Sequence, residues 1–125
     1  MSQTMGTRAV KREEGFTLIE LLVVLVIIAV LLAIAVPSYL GFKDRANKRA
    51  AAANVRSAVP AVEAYYADNR TYATMTGAGL LAIDAGVKVT VVSAGASTYC
   101  ISNTQGGFSY FKNGPSGDIT SVACT

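Results

Sequence analysis

Apolar and polar positions change period twice along this chain. Residues 1–15 are polar, mix both charges and end in Gly15. From Phe16 to Val36 run 21 residues of which only Thr17 and Glu20 are polar. As a helix that stretch is about 30 Å long, the thickness of a bilayer core. It is apolar on every side, so it belongs in lipid or among other helices rather than on one face of a domain. Beyond it the pattern becomes one-sided. Ala51, Val55, Ala58 and Val62 recur at helical spacing, Tyr65 and Tyr66 extend the stripe, and Arg49, Arg56 and Glu63 fall outside it. The run Ala50–Ala53 has the highest helix propensity available. One helix over residues 16 to about 68 follows, near 80 Å if continuous.

Past Asn69 the helical period stops. Gly77, Gly79 and Gly86 break the chain, with a short helical turn predicted over Leu80–Ala85. Four segments then read as strands: Val87–Val92, Ser97–Asn103, Phe108–Lys112 and Ile119–Ala123. Gly95, Gly106-Gly107 and Asn113–Gly117 separate them. A sheet this small is marginal alone and must pack on the amphipathic half of the helix. The predicted class is α+β, a long N-terminal helix packed on a small C-terminal antiparallel sheet of three or four strands. Two prolines interrupt the helix. Pro37 leaves the carbonyl of Ala33 unpaired and Pro60 leaves that of Arg56, at about 3 kcal/mol each, so both are expected as bends. A helix that ends at Pro60 is the other arrangement.

Composition narrows the chemistry. The chain has 125 residues, 11 Lys and Arg against 8 acids, and no histidine. Triads that depend on His and His–metal sites are therefore excluded. The acids are scattered and no Gly-rich phosphate loop is present, so no catalytic constellation or cofactor site is read. Cys100 and Cys124 are the two cysteines. Joined, they close a loop of about 25 residues, which contributes roughly 3 kcal/mol through chain entropy. Two free buried thiols are the alternative, and a Cys pair without His gives no support for a metal.

Glu20 is the anomaly. A carboxylate in such a helix costs roughly 2.5–3.5 kcal/mol on insertion scales. The segment Gly15-Phe16-Thr17-Leu18-Ile19-Glu20-Leu21-Leu22-Val23 resembles, without a break, the class III signal of type IV pilins and pseudopilins. The resemblance is close over the first third of the chain and weak beyond Tyr72. It implies cleavage between Gly15 and Phe16 by a membrane aspartyl prepilin peptidase, then N-methylation of Phe16. It implies that Glu20, fifth in the mature chain, packs subunits into a helical filament driven by an ATPase motor. The segments become a leader (1–15), a transmembrane and filament-core helix (16–37), an amphipathic helix of the head (38–68), and a loop and sheet closed by a disulfide (69–125). In this family such a C-terminal loop is commonly exposed on the filament.

Physics gives Glu20 a reason to be there. Cleavage frees an amine on Phe16 that stays charged when methylated. In a dry helix bundle a carboxylate attracts it strongly, within one chain at i+4 or between chains, which sets register and polarity. A Glu20 that snorkels to the interface is the alternative. So are cleavage at Ala33-Ile34-Ala35 and a plain single-pass anchor. Orientation is set by the cleavage motif, read from the cytoplasm, and by the cysteine pair, which suits an oxidising compartment. The flanking charges Arg8, Lys11, Arg12, Glu13 and Glu14 against Lys43, Arg45, Lys48 and Arg49 do not decide it.

Three further patterns have plainer readings. Lys43–Arg49 suits headgroup anchoring and salt links between subunits better than nucleic acid. Tyr39, Phe42, Tyr65, Tyr66 and Tyr72 suit packing better than electron transport. Asn69-Arg70-Thr71 matches the N-glycosylation pattern, which is short enough to recur by chance. The reading is a major pilin that forms a surface filament for adhesion, motility or DNA uptake. It is no enzyme, sits in the cytoplasmic membrane as precursor and monomer, and assembles from identical copies. A type II secretion pseudopilin, a minor pilin or an anchored binding module are the rivals.

Overall fold

The structure is a computed structural model that describes residues 15–125. The leader expectation and its charges Arg8, Lys11, Arg12, Glu13 and Glu14 lie outside the described residues, except for Gly15. The order of elements is α1 (Leu18–Asn69), α2 (Gly77–Ile83), β1 (Thr90–Ala94), β2 (Tyr99–Gln105), β3 (Phe108–Gly114) and β4 (Ile119–Thr120). The chain divides into two units, one ending at Tyr39 and one spanning Leu40–Thr125.

In the first unit every described residue is exposed, and the most apolar window of α1 buries nothing. The second unit holds the core. Ala51, Val55, Ala58, Ala61 and Val62 form the buried face of α1, with Tyr72, Met75, Leu80, Val87, Tyr99 and Ile101 packed into the same cluster. The helix runs through both Pro37 and Pro60, so the break considered at Pro60 does not occur. Buried Ala58, Ala61 and Val62 flank that proline. Burying one Val contributes about 1.5–3 kcal/mol, so Val55 and Val62 together offset the lost hydrogen bond. The helix ends where Arg70 turns left-handed at φ 58° and its N–H donates to the carbonyl of Tyr66 at 2.7 Å. The Asn69 side-chain amide donates to the carbonyl of Tyr65 at 2.9 Å, a second bond over the last turn.

The four strands form one antiparallel sheet in sequence order. Gln105 pairs with Phe108, and the two residues between them, Gly106 and Gly107, both have positive φ (56° and 86°). Such a turn matches the twist of a hairpin and needs residues without a Cβ penalty. Gly106 has a second reason, since a Cβ there would collide with the Asn47 side chain.

The short helix and all four strands differ at a boundary from the sequence expectations: β2 runs over Tyr99–Gln105 rather than Ser97–Asn103, and β3 continues to Gly114 rather than Lys112. The short helix starts at Gly77, not Leu80, because the Thr76 hydroxyl caps it by accepting from the N–H of Gly79 at 3.1 Å. The first strand pairs over Thr90–Ala94, with a bulge between Val91 and Ser93, rather than over Val87–Val92. Val87 packs into the core without a ladder partner, and the Asn103 amide donates to the carbonyl of Lys88 in place of a strand. The last strand shortens to Ile119–Thr120, because the N–H of Val122 turns back to the Thr120 hydroxyl at 3.3 Å.

Candidate processing and assembly site

Gly15, Phe16 and Thr17 precede α1 and are non-helical and exposed, with Phe16 at 86%. The Gly15–Phe16 peptide is thus exposed and outside the helix. A Cβ built on Gly15 meets nothing within 4 Å. Nothing in this chain therefore demands a glycine there, and any such demand comes from a partner.

Thr17 is the residue the sequence reading passed over. Its hydroxyl accepts from the N–H of Glu20 at 3.2 Å, while the Glu20 carboxylate accepts from the N–H of Thr17 at 3.4 Å. This is a capping box, legible in the sequence as T-x-x-E before an apolar run. It satisfies two of the four N–H groups that a helix start leaves open. The carboxylate also lies near the positive end of the helix dipole. Local bonding therefore lowers the cost of Glu20 in an apolar segment but leaves most of its acceptor capacity unused. Phe16, four residues before it, carries the amine that cleavage would free.

The remaining named residues fall elsewhere. Pro37 lies in the first unit and Pro60 in the second, both within α1. Cys100 and Cys124 are disulfide-bonded with Cα atoms 6.3 Å apart, which ties the segment after β4 to β2. Beside Cys124 a shallow cavity of about 220 Å³ is lined by Phe111, Asp118 and Thr120 among others. Among the described residues no group of three or more His, Cys, Asp or Glu could hold a metal. Tyr39 and Phe42 are exposed, whereas Tyr65, Tyr66 and Tyr72 pack against or within the core.

Tyr66 stacks on Tyr72 with ring centroids 4.5 Å apart, and Tyr72 meets Tyr99 tilted by 57° with centroids 4.8 Å apart. The Tyr72 hydroxyl donates to the Glu63 carboxylate, with both oxygens at 3.2 Å. Burial, then the Glu63 hydrogen bond and charge, push Tyr72 up to about 12. Burial pushes Tyr99 up as well, and its hydroxyl is buried without a partner. Two polar ties join α1 to the hairpin: the Asn54 amide donates to the Asn103 side chain at 3.2 Å, and the Lys48 ammonium lies 4.9 Å from the Phe108 ring centre. These groups build the head rather than a reaction centre.

Comparison with known proteins agrees with the geometry of the N-terminal segment. Residues 10–36 match the prokaryotic N-terminal methylation motif. The chain is 39% identical over 110 residues to the type IV wide pilus major component PilA4 of Thermus thermophilus, which covers 84% of each chain. It is 41% identical over 73 residues to the type II secretion system core protein G of Escherichia coli, covering 58% of this chain and 50% of that protein. The core protein G of Vibrio cholerae gives 36% over 76 residues, 61% of this chain and 51% of the relative. The chain thus spans about half the length of these secretion proteins but most of the pilus component.

Proposed function

Because the chain belongs to the type IV pilin family, we propose that its mature form, residues 16–125, polymerises as a structural subunit into a type IV pilus. The observation that carries this reading is the first unit itself. It exposes Phe16 and a row of Leu, Ile and Val side chains that cover nothing in the chain. So large an apolar surface needs lipid before assembly and other copies after it. Residues 1–15 serve as a cleaved leader, 16–37 as membrane span and filament core, 38–68 as the amphipathic helix of the head, and 69–125 as its loop and sheet. The subunit performs no catalysis, and the chemistry at Gly15 and Phe16 is done on it by a peptidase and methylase.

Glu20 acts in assembly. In the monomer its carboxylate is held by the N–H of Thr17. The Phe16 amine of an incoming copy offers a charged donor in a low-dielectric core, a stronger partner than a neutral N–H. Pro37 and Pro60 are the places where α1 bends or opens as subunits pack. Coverage of most of the pilus component, against about half of each secretion protein, favours the pilus over the pseudopilus.

The test is Gly15→Val in the native host. It should leave full-length precursor in the membrane and no filaments by electron microscopy. Normal piliation by this variant would refute the processing site.

A further inference from the structure

The second unit carries a charge imbalance over the segment whose sequence suits headgroup anchoring or salt links between subunits. Between Leu40 and Arg56 lie five cations, Lys43, Arg45, Lys48, Arg49 and Arg56, against one acid, Asp44. Lys48 lies over Phe108, and all five cations are exposed. At about 100° per residue, Arg45, Arg49 and Arg56 fall within an arc of about 40°, about 130° from the buried stripe of Ala51, Val55, Ala58 and Val62. The arginines thus form a row on a face of α1 that the core does not cover. Just before them Leu40 and Phe42 are exposed, Phe42 at 70%.

Copies of the same chain leave a surplus of positive charge. Residues 16–125 contain eight cations and six acids. Among those acids Glu20 is assigned to the Phe16 amine, Glu63 accepts from Tyr72 and Asp84 accepts from the N–H of Gly86 at 2.8 Å. That leaves Asp44, Asp68 and Asp118 against eight cations, so most of this positive charge calls for an anion from outside the chain. Chain order says which one. Lys43 follows Val36, the end of the apolar segment, by seven residues. At about 1.5 Å per residue, Lys43, Arg45 and Arg49 lie about 10, 14 and 20 Å past that end, so Lys43 and Arg45 reach the headgroup layer with their long side chains and Arg49 lies within a Debye length of it. The planar fork of Arg fits phosphate oxygens in pairs.

We infer that Lys43, Arg45 and Arg49 form a collar that binds the phosphates of anionic phospholipid headgroups around the membrane-resident subunit. The inference rests on the membrane-resident monomer of the proposed function. Its consequence is a bias in assembly: a subunit leaving the bilayer must give up these headgroups. A membrane rich in anionic lipid therefore holds a larger monomer pool.

The test uses the full mature chain in mild detergent, with equal amounts of phosphatidylglycerol and phosphatidylcholine added. Native mass spectrometry reads which lipid stays bound. Each cation near a headgroup contributes roughly fivefold. The wild-type chain should favour phosphatidylglycerol by about tenfold or more, and less at high salt. Arg45→Gln with Arg49→Gln should cut that preference by about fivefold or more. A control with the same loss of charge, Arg70→Gln with Lys88→Gln, should keep it. Equal retention of both lipids by the wild type, or an unchanged preference in the Arg45/Arg49 variant, would overturn the collar. So would loss of filaments in that variant with lipid preference intact, which would assign the arginines to a contact with a second copy. Insertion is scored separately in vesicles of phosphatidylcholine alone and of both lipids. A chain that inserts in neither would overturn the membrane-resident reading, and the collar with it.

Discussion

The two units of this chain use the same residue types for opposite ends. In the second, Val55, Val62, Leu80 and Ile101 are fully buried and hold α1 against the sheet. In the first, Leu21, Val23, Leu25 and Ile27 are at least half exposed and touch no core. Apolar side chains in the second unit stabilise the monomer, and those in the first are held for partners the monomer lacks. The contrast extends to polar groups. Glu63 is engaged from within its own unit by Tyr72. Among the described residues Glu20 has only a local bond to Thr17, which leaves capacity for another chain. Stability and assembly should therefore separate cleanly by region.

The largest effect is expected from Glu20. Glu20→Ala should abolish filaments while cleaved monomer accumulates, and co-expression with wild type should restore some incorporation. Glu20→Gln is sharper, because Gln also serves in a capping box but carries no charge. Both variants should fail alike in filament yield, since an amine left unpaired in an apolar core is costly. Normal piliation by Glu20→Gln would assign the residue to capping alone.

Next come apolar truncations, one in each unit. Leu80→Ala should lower the unfolding free energy of the head by about 2–5 kcal/mol, as other buried Leu truncations do. Leu25→Ala removes the same atoms from an exposed site and should leave head unfolding unchanged while it weakens filaments. Denaturant unfolding of the detergent-solubilised chain reads the first effect and filament shearing the second. Equal destabilisation of the head by both variants would break the comparison.

Replacing both cysteines, Cys100→Ser with Cys124→Ser, should destabilise the head by about 2–4 kcal/mol and leave membrane insertion intact. Intact unreduced filaments should contain no titratable thiol.

The smallest effect follows from pH. Tyr72 is raised from 10.0 to about 12 in the folded chain. The unfolded state gives up that proton first as pH rises. The stabilising contribution is thus complete below pH 10 and is lost between pH 10 and about 12. Near pH 11 the loss is about 1.4 kcal/mol, and Tyr72→Phe should remove that part of the slope. Melting of the head at pH 9 and pH 11 measures it.

Much of this division was legible in the sequence, for reasons that differ by element. Ala51, Val55, Ala58 and Val62 announced the buried face, because a helical period survives from sequence to structure. The apolar run from Phe16 announced a surface for lipid or other helices. Gly77-Ala78-Gly79 hid the start of α2, since glycines disfavour helix and only the Thr76 cap reveals it. Val87 and Val89 carried a strand signal but pack on the core without pairing. The bonds of Tyr72 to Glu63 and Asn54 to Asn103 join residues 9 and 49 apart, with no periodic pattern to mark them. Thr17 was legible as half of a capping box, yet the charge of Glu20 pointed to the Phe16 amine, within one chain or between chains, or to snorkelling, and not to the cap.

The central claim is that the first unit is a surface for other copies, exposed at its working end by cleavage. The most direct measurement is the intact mass and N-terminal sequence of the subunit taken from purified surface filaments. That chain should begin at methylated Phe16 and be two protons lighter than its reduced form. Filaments whose subunit begins at any other residue, or that lack this chain altogether, would contradict it.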